Sequence, residues 1–203
     1  MIKKAKEHLS KDLKMKRLVE NVALDYYWKV GEQGDVYFHL LKSIIAQQVS
    51  VKAAAAMQAR FLTLFEDQYP HTEQLLEFNA EQLRAVSLSR QKAQYVQNVA
   101  QFFTEHQLFD KDWRVESDES ILENLTQIKG IGEWTVQMTL MFCLNRGDVL
   151  PVKDLAIQQT MAKLYDLEEK GKALMKRMEA IGEAWRPYRT LACYYLWSWK
   201  HQW

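Results

Sequence analysis

Apolar residues recur along the chain at helical spacing. Phe38, Leu41, Ile44 and Ile45 form one such set and Ala93, Val96, Val99, Ala100 and Phe103 another, in the three-to-four-residue rhythm of one buried helix face. No stretch sustains the alternation of a half-buried strand. Helix-start signals fall where this rhythm begins. Ser50 precedes VKAAAAMQARF, Ser89 precedes RQKAQYVQNVA and Ser117 precedes DESILENL. Asn79 is followed three residues later by Gln82, the spacing at which a cap and the third helical residue satisfy each other's backbone N–H groups. The pattern predicts helix after helix with short connections, an all-α fold.

Composition narrows this further. With 203 residues, 48% of them hydrophobic, and only 7 Gly and 3 Pro, the chain can bury one sizeable core or two helical lobes that share a cleft, which argues against disorder and against a loop-rich all-β fold. No low-complexity tract, internal repeat or Gly/Ser linker marks a boundary, so a single domain over residues 1–203 is expected. The segment DYYWKVGEQGD, residues 25 to 35, is read either as a cap on the fold or as a cleft lining. The basic opening MIKKAKEHLSKDLKMKRL lacks an apolar core of signal-peptide length, and no stretch approaches the roughly 18 apolar residues of a membrane span. A cytoplasmic location with no membrane partner is expected. Cys143 and Cys193 sit in apolar runs without CxxC spacing or neighbouring His, which predicts buried thiols in a reducing compartment rather than zinc or iron–sulfur ligands.

Net charge is only +1, but from Leu125 onward 11 Lys and Arg face 8 Asp and Glu, whereas 16 face 18 before it. This weak basic bias coincides with the most informative stretch, LTQIKGIGEWTVQMTLMF, residues 125 to 142. A helix ending near Gln127 meets one beginning near Glu133 through Lys129-Gly130-Ile131-Gly132. Glycines at alternate positions permit positive φ and close backbone approach, and the first N–H groups of the second helix favour an anion. Such a turn is either an ordinary αα-corner or a hairpin whose amides hold a DNA phosphate without reading sequence while Ile131 packs its tip inward. DVLPVKDLAIQQTMAKLY follows. Its Asp154 precedes an amphipathic run, where an Asp is ordinarily an N-cap.

LKSIIAQQVSVKAAAAMQARF, LTQIKGIGEWTVQMTLMF, DVLPVKDLAIQQ and WRPYRTLACYYLW together resemble, in order and spacing over residues 36 to 200, the helix-hairpin-helix (HhH-GPD) DNA glycosylase superfamily, and within it the DNA-3-methyladenine glycosylase II branch. The resemblance implies a two-lobed helical fold with a cleft, a helix-hairpin-helix over about residues 121–144, and no N-terminal β domain. It implies removal of alkylated purines from double-stranded DNA, with Asp154 as the catalytic carboxylate, a role compatible with capping. Hydrolysis of an N-glycosidic bond passes through an oxocarbenium-like sugar, which a carboxylate beside C1′ stabilises. Bifunctional members carry a lysine nucleophile where this chain has Trp134; Lys129 and Lys153 do not match that position. A monofunctional enzyme that leaves an abasic site is therefore implied.

Base flipping requires aromatic stacking and a filler for the vacated duplex. By the same resemblance Trp134 and Trp197 line the base pocket, and Met138 stands where a relative uses tyrosine. Gln48, after Gln47 in IIAQQVS, is the wedge. Lys129, Gly130, Ile131, Gly132 and Thr135 contact DNA. A monovalent cation, Na+ or K+, is implied at the main-chain carbonyls of Thr126, Ile128 and Ile131; no other cofactor is required and no iron–sulfur cluster is expected. Trp185, Tyr194 and Trp199 are read as core aromatics. Arg186 and Arg189 either contact phosphate or pair with acids inside a lobe. A monomer is expected. Two other readings stay open: a glycosylase for a deaminated or mismatched base, and a non-catalytic DNA-binding module in which Asp154 only caps a helix.

Overall fold

The computed structural model describes residues 2–24 and 34–202. The segment 25–33, and with it most of the proposed cap or cleft lining, lies outside the described residues. The described chain is helical: α1 (Ile2–Leu9), α2 (Leu13–Asn21), α3 (Val36–Ala46), α4 (Val51–Leu62), α5 (Thr72–Glu77), α6 (Ala80–Ala85), α7 (Arg90–Glu105), α8 (Asp118–Leu125), α9 (Glu133–Phe142), α10 (Leu155–Tyr165), α11 (Gly171–Gly182), a 3-10 turn (Glu183–Trp185) and α12 (Arg189–Lys200). The caps legible in sequence set the boundaries. Ser50, Ser89 and Ser117 accept from the N–H groups of Ala53, Lys92 and Ser120, and Asn79 with Gln82 forms the reciprocal box. Asp35 caps α3 through the Phe38 N–H at 2.8 Å.

The described residues form two compact units, one within residues 34–139 and one within residues 1–33 and 140–203. In the first, α3 packs on α4 and α7, and α5 and α6 on α7. The five α7 positions read from the sequence, Ala93, Val96, Val99, Ala100 and Phe103, are all buried. On α3 the buried stripe includes Tyr37, while Phe38 is only half-buried and lies against the Lys42 ammonium, 4.2 Å from the ring centroid. Tyr37 satisfies its hydroxyl on the Pro70 carbonyl at 2.6 Å. A phenol can thus take a core place that periodicity assigned to its neighbour.

In the second unit α12 packs on α10 and α2, and every residue from Thr190 to Ser198 is buried. A helix enclosed all round has no polar stripe for periodicity to detect. Cys143 and Cys193 are buried free thiols. Asp12 holds the N-terminal part of this unit. Its Oδ1 caps α2 through Lys14 N–H (2.8 Å) and Met15 N–H (3.1 Å), and its Oδ2 accepts from the Tyr165 hydroxyl (2.5 Å) and the indole N–H of fully buried Trp185 (3.3 Å). Burial, then this bond to Asp12, pushes the Tyr165 hydroxyl well above its ordinary range, keeping it a donor. Asp12→Ala removes a cap worth ~1 kcal/mol and leaves an indole N–H unpaired at a cost of roughly 1–3 kcal/mol. Urea unfolding of that variant is expected to show a loss of about 2–4 kcal/mol.

Candidate active site

The hairpin and the turn between α3 and α4 lie in the same unit and are tied together. Gly130 sits at φ +107, and a Cβ there would come within 2.3 Å of the Tyr95 ring, so both backbone and packing require glycine. Gly132 differs: its φ is not positive, and a Cβ there would meet nothing within 4 Å. Its glycine instead leaves open the space beside the first amides of α9, where the main-chain N–H groups have no partner within the helix. Ile131 is buried, as its inward packing required.

One face of α7 organises both loops. Asn98 Nδ2 donates to the Lys129 carbonyl at 2.9 Å, Tyr95 underlies Gly130, and Lys92 Nζ donates to the Ile45 carbonyl near the end of α3 at 2.7 Å. Burial holds the Lys92 ammonium below its ordinary pKa range. Gln47 Nε2 links the loops directly by donating to the Gly130 carbonyl at 3.3 Å. The next residue, Gln48, is exposed and left-handed at φ +58, a conformation that costs a non-glycine residue roughly 1–2 kcal/mol.

In the other unit, Asp154 is the N-cap of α10. Its Oδ1 accepts from the Ile157 N–H at 2.9 Å and from Trp197 Nε1 at 3.0 Å. The carboxylate is thereby fixed from two helices. The loop leading to it is stitched to α12 along one helical face. Arg189 Nε donates to Asp148 Oδ1 at 2.7 Å; the Thr190 N–H donates to the Gly147 carbonyl at 3.1 Å, and its hydroxyl donates to the Arg146 carbonyl at 2.7 Å while accepting from the Val149 N–H at 3.0 Å. Cys193 Sγ lies 3.8 Å from the Val149 carbonyl. Burial first and the Asp154 charge second push this thiol far above its ordinary range, so it stays protonated and unreactive.

The sequence-derived candidates divide accordingly. Asp154 and Trp197 meet; Gln48 and the hairpin share a tied loop pair. Trp134 and Met138 stand one turn apart on α9 in the unit of residues 34–139, with Trp134 39% exposed and Met138 8%. Thr135 is 3% exposed, so its main-chain N–H rather than its hydroxyl is what the first turn of α9 can offer. Lys129 is exposed. Arg186 and Arg189 pair with acids: both engage Asp148, each at 2.7 Å, and Arg186 also reaches Glu183. Trp185 and Tyr194 are core residues; Trp199 is half-buried with the Lys163 ammonium 5.6 Å from its ring centroid.

Sequence reasoning missed Tyr95, Asn98 and the α12 residues Thr190 and Cys193, since only the folded chain brings them to the loops they hold. No group of three or more His, Cys, Asp or Glu among the described residues could hold a metal. Of the hairpin carbonyls, Lys129 accepts from Asn98, Gly130 from Gln47 and Ile128 from the Ile131 N–H at 3.0 Å, and each keeps a second lone pair.

The chain is similar to several known proteins. A DNA-3-methyladenine glycosylase of Schizosaccharomyces pombe is 34% identical over 200 residues, covering 96% of this chain and 86% of the relative. The structure of an S. pombe 3-methyladenine DNA glycosylase in complex with abasic DNA superposes with a TM-score of 0.82 at 34% identity, over 96% of this chain and 95% of that one. A DNA-3-methyladenine glycosidase from Bacillus halodurans gives 0.79 at 32% identity, over 95% and 87%. The family model for HhH-GPD superfamily base excision DNA repair proteins matches residues 41–187. With the hairpin, the doubly held Asp154 and these likenesses together, the chain belongs to the HhH-GPD superfamily of base excision DNA repair proteins.

Proposed function

We propose that the chain is a monofunctional DNA glycosylase, of the DNA-3-methyladenine glycosylase II type, that binds double-stranded DNA as a monomer and excises alkylated purines. The observation that carries this reading is Asp154, whose carboxylate two donors from α10 and α12 hold in one place. Charge that is to stabilise a transition state must be oriented before the reaction begins. The names of the relatives support the substrate class.

In the proposed reaction the hairpin holds a phosphate through main-chain amides at Gly130 and at Gly132–Thr135, with Lys129 adding charge, and Gln48 fills the space left by the flipped nucleotide. An alkylated purine nucleotide such as 3-methyldeoxyadenosine carries a positive charge on its base. When the C1′–N bond breaks, its electron pair goes to the base, which departs neutral, and the sugar becomes oxocarbenium-like. Asp154 stabilises that cation. Water then adds to C1′, its proton passing to the carboxylate or to solvent, and an abasic site remains. Trp134 offers an exposed aromatic face on which a cationic base stacks favourably, with Met138 below it. Trp134 has no primary amine, so it forms no Schiff base at C1′ and no strand cleavage follows from it. The carbonyls of Thr126, Ile128 and Ile131 would hold a monovalent cation, which would supply positive charge toward the phosphate.

Two experiments test this. Duplexes carrying 3-methyladenine or 7-methylguanine are expected to release free base with wild-type protein, with strand breaks appearing only after alkali. Asp154→Asn should reduce the rate by about 100-fold or more. No release from either lesion, with duplex binding intact, would contradict the enzymatic reading and leave a binding module. The two glycines separate folding from binding. Gly130→Ala is expected to lose about 2 kcal/mol of stability through its left-handed backbone and the Tyr95 clash. Gly132→Ala should stay within about 1 kcal/mol of wild type yet bind duplex about tenfold more weakly, as measured by fluorescence anisotropy.

A further inference from the structure

We propose that Trp197 is a positioning residue for this reaction: its indole N–H fixes the rotamer of the Asp154 carboxylate, a role distinct from stacking on the flipped base. The inference rests on the reading of Asp154 given above.

Trp197 is 7% exposed, and its ring packs within its own unit, 5.9 Å from Phe142 at an interplanar angle of 28° and 6.1 Å from Tyr194 at 33°. Phe142 and Tyr194 are themselves 5.7 Å apart. The ring is therefore clamped among aromatics on a helix buried from Thr190 to Ser198, and its N–H has little freedom to follow a moving partner. That N–H meets Asp154 Oδ1 at 3.0 Å, on the same oxygen that the Ile157 N–H reaches at 2.9 Å. One donor would leave the carboxylate free to pivot. Two donors from different helices define its position.

The choice of donor also matters electrically. An indole N–H donates one hydrogen bond and carries no charge. A Lys or Arg in its place would hold the carboxylate as firmly but would cancel the negative charge needed opposite the forming sugar cation. The two arginines of this region are directed elsewhere. Arg186 and Arg189 both pair with Asp148, six residues before Asp154 in the same loop, whereas the donors from Ile157 and Trp197 to Asp154 are neutral.

The test is a double-mutant cycle in single-turnover excision, with Trp197→Phe and, as a shape-preserving alternative, Trp197 replaced by benzothienylalanine, in which sulfur takes the place of the N–H. Both variants keep an aromatic ring on Phe142. Either is expected to slow excision about 10- to 100-fold, the loss of one hydrogen bond to a charged group. The loss should be equal for 3-methyladenine and 7-methylguanine, with KM and duplex affinity unchanged. In the Asp154→Asn background the same replacement should cost nothing further, because the carboxylate it positions is gone. A loss that persists in that background, that differs between lesions, or that appears in KM would overturn the positioning role, as would wild-type rates in the benzothienylalanine protein. An Asp154→Asn protein as active as wild type would instead overturn the assignment of the carboxylate itself, and this role with it.

Discussion

The site depends on the way one face of α12 holds the loop of residues 146–154. Arg189, Cys193 and Trp197 recur every four residues on one helix face with Thr190 beside the first, and each touches this loop, from Arg146 and Asp148 at one end to Asp154 at the other. An irregular segment has backbone groups that must find partners, and here α12 supplies them. The carboxylate at the end of the loop is then no more mobile than the helix. In the reaction proposed above, a charge that had to reorganise to meet a short-lived cation would lose part of the stabilisation it provides.

The unit of residues 34–139 solves the same problem with a different helix. The face of α7 carrying Lys92, Tyr95 and Asn98 holds the end of α3 and the hairpin, and Gln47 joins the two loops. Both units thus present functional loops from rigid helices, the usual division of labour between scaffold and site. The left-handed backbone at Gln48 fits this scheme: the turn accepts a local conformational cost that its ties to α7 and the hairpin offset.

What the sequence made legible follows from how local each feature is. The caps at Ser50, Asn79, Ser89 and Ser117, the core face of α7 and the capping place of Asp154 are fixed by residues within four positions of one another, and the structure has them where the sequence puts them. The exchange of Phe38 for Tyr37 in the core depended on Pro70, distant in sequence, and was not legible. Likewise Gly130 and Gly132 look alike in KGIG, yet only Tyr95 shows that one is demanded by folding and the other is not. Trp197 could be picked out as important from its motif, but the direction of its N–H, toward a carboxylate 43 residues earlier, belongs to tertiary structure alone.

In the proposed mechanism the Asp154 charge stabilises positive charge at the sugar. This role is tested most directly by comparing the affinity of the protein for duplexes containing a cationic pyrrolidine abasic analogue and a neutral tetrahydrofuran one, in wild type and Asp154→Asn. A transition-state mimic should bind more tightly than its neutral counterpart. A preference for the cation of about 100-fold or more is expected in wild type, and it should disappear in Asp154→Asn. A preference that survives the substitution, or none in wild type, would contradict this role.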